Sequence, residues 1–241
     1  MKAIILAAGQ GLRLRPLTDN CPKCMVEYKG KQIIDHILET MRSVGLKDIV
    51  LVKGYRAEAL VREGTTSYIN AQYDRTNMVA TLFCSDECWD DDLIISYADI
   101  VYEHQVLEAL MDDAAEFSVV VDKDWKKLWE RRMDDPLEDA ETLKVNAKGF
   151  ITELGKKPKG YEEIQGQYIG LIKIRKSILK KIREFYHGLD RDAIYDGKDF
   201  DNMFMTSFIQ LIIDRLLPVK AVFISGGWVE IDTLEDLKQL V

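Results

Sequence analysis

Strand-length apolar runs alternate with helical apolar patterns along the whole chain, and this alternation constrains the fold more than any other feature. Apolar runs without polar alternation are typical of strands buried on both faces. We predict strands at residues 3–7, 49–52, 93–96, 117–121, 169–174 and 219–224. Helices are predicted at 33–44, 106–111, 178–186 and 204–217, where apolar residues recur at helical spacing. The alternation predicts an α/β fold with an open, mostly parallel sheet flanked by helices.

The composition excludes several classes of function. The chain has 241 residues, with 33 Lys and Arg against 41 Asp and Glu and a net charge of -8. An acidic chain without a basic stripe is a poor partner for nucleic acid or for an anionic membrane surface. No stretch reaches the roughly 18 consecutive apolar residues of a membrane span, and the apolar run 3–9 is too short for a secretory signal. We therefore expect a cytoplasmic protein with neither nucleic-acid nor membrane partners.

The four cysteines allow two interpretations. Cys21 and Cys24 form a C-x2-C pair, and Cys84 and Cys88 stand at helical i, i+4 spacing in an apolar stretch. Four thiolates can hold a structural zinc ion. Cysteine in an apolar stretch more often behaves as a small core residue, and no disulfide framework is expected in a cytosolic chain of this size. We favour reduced structural thiols and keep a zinc site as the alternative.

A glycine loop directly follows the first predicted strand. Gly9 and Gly11, preceded by small residues, let the backbone approach a ligand and point its amides toward it. Arg13 and Lys23 flank the loop and can reach phosphate oxygens. The loop has neither the Walker A pattern nor the third glycine of the dinucleotide fingerprint. On these residues alone, an ordinary strand-to-helix turn is the competing interpretation.

Two carboxylates stand at informative places in the sequence. Asp99 follows the third predicted strand, at the carboxyl end where open α/β sheets usually bind ligands. Asp232 lies just before a predicted terminal helix. Taken singly, each is better explained as a helix cap or a solvated acid than as a metal ligand.

The pattern LAAGQGLRLRPLT at residues 6–18, followed by a Pro-Lys pair, resembles the sugar-phosphate nucleotidylyltransferase superfamily. The resemblance implies a Rossmann-like fold of the nucleotide-diphospho-sugar transferase type and transfer of a nucleotidyl group from an NTP to a phosphorylated acceptor. Arg13 and Lys23 match the family's triphosphate-contacting, catalytic residues, and Asp99 and Asp232 match its Mg2+ ligands. The nucleotide-binding residues that the resemblance implies are Leu6, Ala7, Ala8, Gly9, Gly11, Asn77 and Tyr97.

The chemistry that this resemblance implies needs little acid–base catalysis. An acceptor phosphate is largely ionised near neutral pH, its second pKa being about 6. It can attack the α-phosphorus directly while pyrophosphate leaves, so the site must chiefly supply alignment and charge neutralisation. The absence of a Ser-His-Asp or Cys-His set is therefore expected, and we assign no role to the three histidines.

Within the superfamily, the chain is most similar to the phosphocholine cytidylyltransferase branch, which includes enzymes that act on phosphoglutamine in capsule polysaccharide biosynthesis. The similarity spans nearly the whole chain and is carried by residues 76–78, 95–102, 121–125, 135–141, 153–157 and 167–170. It implies a CTP-dependent cytidylyltransferase with a phosphoglutamine-type or phosphocholine-type acceptor. It also implies that residues 1–241 form a single catalytic domain. The irregular segment 122–154 is expected to cover the acceptor, since such insertions often form ligand flaps.

The same resemblance assigns acceptor-binding residues, several of them with a competing structural interpretation. Either Lys157 or Lys156 is expected to hold the acceptor phosphate. Trp125 and Trp129 can form an aromatic wall for an ammonium group or pack the insertion on the sheet. For Asn77, a capping or turn role competes with base recognition. The acids Glu138, Asp139 and Glu141 can pair with an amino group or form a solvated charge run, and the remaining implied residues are Glu153, Gln167 and Tyr168.

Two other functions fit the pattern less well. A sugar-1-phosphate nucleotidylyltransferase would use UTP or dTTP. A nucleotide-sensing module would keep the fold without the chemistry, but it need not retain Arg13, Lys23 and both metal-binding positions. The expected partners are thus CTP and a small phosphorylated acceptor, with Mg2+ as cofactor. The oligomeric state is left open by the sequence, a homodimer included.

Overall fold

The computed structural model describes residues 1–239. Its strands are β1 Lys2–Ala7, β2 Glu27–Tyr28, β3 Lys31–Gln32, β4 Asp48–Lys53, β5 Thr65–Ile69, β6 Leu93–Tyr97, β7 Ile100–Tyr102, β8 Phe117–Asp122, β9 Leu143–Val145, β10 Ile151–Leu154, β11 Gln167–Ile174, β12 Lys220–Ile224 and β13 Trp228–Glu230. Its α-helices are α1 Ile33–Ser43, α2 Met78–Phe83, α3 His104–Asp112, α4 Trp125–Arg132, α5 Lys176–His187, α6 Met205–Arg215 and α7 Leu234–Gln239.

The main sheet has seven strands in the order β12-β8-β11-β6-β1-β4-β5. Neighbouring strands run parallel except at β11, which is antiparallel to both β6 and β8. Helices cover both faces of this sheet. The predicted open, mostly parallel α/β sheet is therefore confirmed.

The central strand β1 shows why its apolar run is continuous. Ala3, Ile5 and Ala7 belong to the core layer that includes α1 and α3, whereas Ile4 and Leu6 belong to the layer that includes α5 and α6. Successive side chains of a strand point to opposite faces, and both faces of β1 are buried. A strand covered on both sides has no position where a polar residue would face water.

Several short or exposed elements of the fold have no counterpart among the predicted ones, and β5 and α2 show why. Strand β5, Thr65–Ile69, lies at the edge of the sheet and is largely exposed, so it carries no apolar run. Helix α2, Met78–Phe83, is too short to show a helical period. Each of the predicted strands and helices is present, with ends that differ by a few residues from the predicted ones.

The cysteines are free thiols, in agreement with the favoured interpretation, and their i, i+4 spacing does not reflect a shared helix. Cys84 caps the end of α2 and Cys88 lies in a separate 3-10 turn, so the two do not share one helix. Cys24 is buried in the core layer beneath α1, and burial raises the pKa of its thiol to about 12.

A two-stranded ladder places the C-terminal segment beside the main sheet. Strand β13 pairs with β7 in antiparallel fashion, with Glu230 opposite Ile100. One residue further on, the Ile231 amide donates to the carbonyl oxygen of Asp99 at 2.9 Å. The ladder thus brings Asp232 to the carboxyl end of β6. Across residues 1–239, no helix combines the length and apolar content needed to span a membrane.

Candidate active site

The glycine loop after β1 folds back on itself. Gly11 has a φ of +63°, a left-handed conformation that favours glycine. A Cβ atom there would lie 2.9 Å from Cβ of Lys23. The Thr18 hydroxyl donates to the Gly11 carbonyl at 2.8 Å, which holds the far end of the loop in place. The backbone of the loop at Gly11 is therefore packed closely against the Lys23 side chain.

Four charged side chains singled out in the sequence lie together at the mouth of this loop. The Lys23 ammonium lies 2.7 Å from Oδ2 of Asp99 and 2.6 Å from Oδ1 of Asp232. Arg13 forms an ion pair with the other oxygen, Oδ2, of Asp232. Lys23, Asp99 and Asp232 are 12%, 24% and 13% exposed, whereas Arg13 is 67% exposed. Two cations and two carboxylates thus form one connected cluster, open to solvent on the side of Arg13.

The two carboxylates fit a magnesium–nucleotide complex. Oδ1 of Asp99 is buried and has no hydrogen-bond partner among residues 1–239, so one hard oxygen of the pair is available as a ligand. Within residues 1–239, no group of three or more His, Cys, Asp or Glu side chains is arranged to hold a metal. Mg2+ is commonly bound through one or two carboxylates together with substrate phosphates. Asp99 and Asp232 therefore suit a cation that arrives with a triphosphate.

The first of two neighbouring cavities lies over this cluster and the end of β1. Six of the seven residues assigned to nucleotide binding line it, and Gly11 lies immediately behind Lys23. Asn77 also caps α2, since its Oδ1 accepts from the Met78 amide at 2.8 Å. Both interpretations of Asn77 are therefore compatible with its position. The lining residues are Leu6, Ala7, Ala8, Gly9, Lys23, Cys24, Tyr73, Thr76, Asn77, Met78, Thr81, Tyr97, Ala98 and Asp99.

The second cavity adjoins the first through Met78 and Tyr97, which line both. Its wall is acidic and aromatic, and it contains no lysine, arginine or histidine. Gln167 and Tyr168, both assigned to the acceptor, line it, as does Trp129. The lining residues are Met78, Tyr97, Trp129, Asp139, Glu141, Gln167, Tyr168, Ile169, Gly170, Phe204, Met205, Thr206, Trp228 and Glu230.

Burial in the wall of the second cavity raises the pKa of Glu141 and of two phenols. Burial raises the pKa of Glu141 to about 7; the charge of Asp139 acts in the same direction, and the Thr206 hydroxyl opposes both. Burial likewise raises the pKa of the Tyr97 and Tyr168 phenols, whose rings meet edge-on at 5.9 Å. Near neutral pH the phenols are uncharged, and Glu141 is poised between its two protonation states.

Side chains of the insertion fix the shape of this cavity. The Trp129 indole donates to Oδ2 of Asp139 at 3.1 Å. The Gln167 side chain accepts from the Glu141 amide at 3.0 Å and donates to the Glu141 carbonyl at 2.6 Å. Segment 122–154 thus contributes Trp129, Asp139 and Glu141 to the wall, joined to β11 through Gln167.

Other residues assigned to the acceptor lie outside the lining of both cavities. The Lys157 ammonium donates to the carbonyls of Leu137 and Glu138 at 2.6 and 2.7 Å. Glu153 is paired with Lys144 at 2.9 Å, and Lys156 lies 3.8 Å from the same carboxylate. These contacts hold both lysines and Glu153 at the base of the insertion rather than at the cavity.

Trp125 is also outside the cavity lining. It is 4% exposed and packs edge-on against Trp129 at 5.8 Å and on Tyr161 at 6.2 Å. Of the two tryptophans proposed as an aromatic wall, Trp129 therefore faces the cavity, and Trp125 packs the insertion in the core.

Sequence reasoning missed two wall residues that belong to one short strand. Trp228 and Glu230 line the second cavity, and Asp232 follows with the same spacing. Alternate residues of a strand share a face, so the period-2 pattern W-x-E-x-D was the available signal. A strand of three residues, Trp228–Glu230, is too short to be recognised by hydrophobicity alone.

Comparisons with known proteins identify the family of this chain. The MobA-like NTP transferase domain family matches residues 3–191. The CTP:phosphoglutamine cytidylyltransferase of Campylobacter jejuni is 49% identical over 249 aligned residues, covering 99% of this chain and 98% of that enzyme. The choline-phosphate cytidylyltransferase of Streptococcus pneumoniae is 48% identical over 58 residues, covering 24% of this chain and 25% of that enzyme.

Solved structures share the fold at low sequence identity. The inositol-1-phosphate CTP transferase from T. maritima superimposes with a TM-score of 0.75 at 21% identity, covering 98% of this chain and 90% of that one. For the CTP:phosphocholine cytidylyltransferase from Streptococcus pneumoniae the TM-score is 0.73 at 21% identity, with coverage of 99% and 96%. The resemblance found in the sequence is confirmed by these matches. This chain belongs to the MobA-like NTP transferase family and is a nucleotidyltransferase.

Proposed function

We propose that the protein transfers CMP from CTP to a small phosphorylated acceptor that carries a cationic nitrogen, releasing pyrophosphate in a Mg2+-dependent reaction. The observation that carries this proposal is the pair of adjoining cavities with different chemistry. The first contains the glycine loop, Lys23 and Asp99, and the second is acidic and aromatic. The near-full-length identity to a cytidylyltransferase supports CTP as the nucleotide.

The chain's own residues supply most of what the transfer requires. An oxygen of the acceptor phosphate forms a bond to the α-phosphorus, and the bond from that phosphorus to the β-bridging oxygen breaks with its electron pair leaving on pyrophosphate. No proton need be removed, because the acceptor phosphate is already largely ionised at neutral pH. Lys23, at the floor of the first cavity, neutralises charge at the α-phosphate, and the exposed Arg13 holds the outer phosphates.

Asp99 and Asp232 would hold Mg2+ together with the triphosphate. The cation would supply charge neutralisation and alignment of the phosphates. Because Lys23 already pairs with both carboxylates, these residues can exchange one positive partner for another without leaving a buried charge unpaired. The hard-oxygen donor set supports Mg2+ rather than a soft metal.

The second cavity supports a cationic acceptor. Asp139 and Glu141 offer carboxylate oxygens, and Trp129 and Trp228 offer aromatic faces, while the charge of Glu230 is balanced by Arg132. Ammonium groups are recognised by this combination of carboxylates and aromatic rings. An acceptor of the phosphoglutamine or phosphocholine type, each with a positively charged nitrogen, would place that nitrogen here. We assign Gln167 and Tyr168 to the same site and segment 122–154 to its cover.

Lys156 and Lys157 lie outside the lining of both cavities, so we assign them a role different from the one implied by resemblance. In the present arrangement the Lys157 ammonium is engaged by two backbone carbonyls. We propose that Lys157 ties the chain after the insertion to residues 137 and 138 within it, and that Lys23 is the lysine that holds the acceptor phosphate. Two remaining parts of the proposal rest on resemblance: one catalytic domain spanning the chain and a place in capsule polysaccharide biosynthesis. The proposed cytoplasmic location rests on the composition and the short apolar run 3–9.

A matrix of nucleotides and acceptors tests the proposal. The purified protein would be incubated with CTP, UTP or dTTP and with phosphoglutamine, phosphocholine or glucose-1-phosphate. Pyrophosphate release and product mass would be measured, with Lys23→Ala as the negative control. We expect turnover with CTP and an ammonium-bearing acceptor. Turnover of glucose-1-phosphate with UTP or dTTP would instead identify a sugar-1-phosphate enzyme, and CTP binding without any turnover would identify a nucleotide sensor.

A further inference from the structure

Arg132 is a buried arginine at the last position of α4, outside the charged cluster described above. Its side chain is only 5% exposed. Nε lies 2.8 Å from Oδ1 of Asp236, and Nη1 lies 2.5 Å from Oε2 of Glu230. A guanidinium group is rarely buried to this extent unless it is paired. Arg132 therefore joins the insertion to two acids of the C-terminal segment.

Asp236 binds both Arg132 and the backbone of Asp232. Its Oδ2 accepts hydrogen bonds from the backbone amides of Asp232 at 2.9 Å and Thr233 at 2.8 Å. The Asp236 amide in turn donates to the Thr233 hydroxyl at 3.1 Å. Oδ2 of Asp236 thus binds the turn that carries Asp232, while Oδ1 of the same carboxylate accepts from Arg132.

Arg132 also borders the second cavity. Its guanidinium lies over the Trp129 ring, 5.4 Å from the ring centre. Trp129 and Glu230 both line that cavity. The same side chain therefore touches two wall residues of the second cavity and the acid that fixes Asp232.

We propose that Arg132 is a positioning residue that locks the insertion onto residues 228–236 and thereby holds the Asp232 carboxylate in place for the metal–nucleotide complex. This inference rests on the proposed function, because it assigns a purpose to the fixed orientation of Asp232. Within residues 1–239 the hydrogen bonds of Arg132 go to Glu230 and Asp236 rather than to the glycine loop, and Asp236 is the partner that also binds the Asp232 amide. Groups that orient a metal ligand typically change metal affinity or activity by roughly 10-fold to 100-fold when they are removed.

The experiment compares wild type with Arg132→Met and Arg132→Lys. Arg131→Met is the matched control, since Arg131 precedes it on the same helix but is exposed. Mn2+ binding would be measured by paramagnetic resonance in the presence of α,β-methylene CTP, without acceptor, so that no turnover is needed. We expect Arg132→Met to weaken Mn2+ binding by roughly 10-fold or more. Arg132→Lys should restore part of the loss, and Arg131→Met should match wild type.

A second variant covers the case in which Arg132→Met does not fold. Asp236→Asn keeps the shape of the side chain but weakens its grip on both Arg132 and the turn, and it should weaken Mn2+ binding in the same direction. In a folded double variant, the two losses should be less than additive because both act through one contact chain.

The possible failures are distinguishable. Wild-type Mn2+ binding in folded Arg132→Met or Asp236→Asn would refute the positioning role, while pyrophosphate release by wild type with CTP and acceptor would leave the proposed function intact. Fully additive losses would also refute it. A wild-type protein that neither binds the Mn2+–nucleotide complex nor releases pyrophosphate would refute both.

Discussion

The ammonium of Lys23 lies 2.7 Å from Oδ2 of Asp99, which joins the loop after β1 to the residue that follows the neighbouring strand β6. The two strands are parallel and in register, with Leu6 opposite Tyr97. Their carboxyl ends therefore meet at one edge of the sheet. A cation and a carboxylate that are distant in sequence become partners because adjacent strands deliver them to the same place.

Replacing Lys23 should impair the chemical step more than nucleotide binding. Charge builds at the α-phosphate as the acceptor attacks, so a cation there stabilises the transition state more than the ground state. We expect Lys23→Ala to lower kcat by roughly 100-fold or more, with a much smaller loss of CTP affinity by calorimetry. Lys47→Ala, at an exposed position, is the control. A variant that loses CTP binding but turns over normally at saturation would show that Lys23 only anchors the nucleotide.

Removing either proposed metal ligand should abolish most turnover while the fold persists. We expect Asp99→Asn and Asp232→Asn each to cost several kcal/mol of transition-state stabilisation, an order-of-magnitude figure for lost metal-ion catalysis. Pyrophosphate release would be measured against Mg2+ concentration, with thermal melts to verify folding. Near wild-type turnover in either variant at low Mg2+ would contradict the assignment.

Replacing Gly11 should reduce activity because a larger residue there would displace Lys23. A Cβ at Gly11 would meet Cβ of Lys23 at 2.9 Å, whereas at Gly30, which also has positive φ, it would meet nothing within 4 Å. Both Gly→Ala variants should lose about 1 kcal/mol of stability from backbone strain. We expect only Gly11→Ala to lose activity strongly, as measured by kcat and melting temperature together. Equal losses of activity in the two variants would mean that strain, and not the contact with Lys23, sets the effect.

Glu141 should make stability depend on pH. Burial raises its pKa from about 4.5 to about 7, so between these values the folded state keeps a proton that the unfolded state has released. Since the folded state binds more protons there, this contribution to stability falls as pH rises from about 4.5 to about 7. We expect the difference in melting temperature, Glu141→Gln minus wild type, to increase as the pH is raised from 5 to 8. The exposed Glu138→Gln should show no such increase, and a constant offset for Glu141→Gln would contradict the prediction.

The cysteines should bind no zinc. Burial holds the Cys24 thiol protonated at neutral pH, because its pKa is raised to about 12, and a zinc ligand must be a thiolate. We expect no stoichiometric zinc by metal analysis and an unchanged thermal melt after chelator treatment without nucleotide. One equivalent of zinc in the purified protein would overturn this expectation.

The sequence predicts the sheet well because its interior strands are covered on both faces. The apolar run of β1 and the helical spacing of α1 each follow from burial, so pattern and structure coincide. The edge strand β5 escapes prediction because water reaches it, and a half-exposed strand can carry Thr, Ser and Tyr without cost. Apolar patterns therefore predict the buried strands and helices but not the exposed ones.

The candidate site likewise contains residues that the sequence predicts and residues that it does not. Arg13, Lys23, Asp99 and Asp232 could be named from the sequence because a local motif and strand ends place them. The wall of the second cavity could be named only in part, through resemblance, because tertiary packing assembles it from seven separate elements. These are α2, the end of β6, α4, the acidic stretch after α4, β11, the start of α6 and β13. Lys157 illustrates the limit: its position in a motif does not reveal that two backbone carbonyls engage its ammonium.

The pairing of β7 with β13 has a consequence for the order in which the site can be built. Asp99 is supplied early in the chain, whereas Asp232 reaches it only after the Trp228–Glu230 strand has docked on Ile100–Tyr102. A growing polypeptide that has reached residue 225 contains the glycine loop, Lys23 and Asp99, but it lacks the second carboxylate. The two carboxylates that pair with Lys23 therefore come together only after residues 228–232 have been synthesised and β13 has paired with β7.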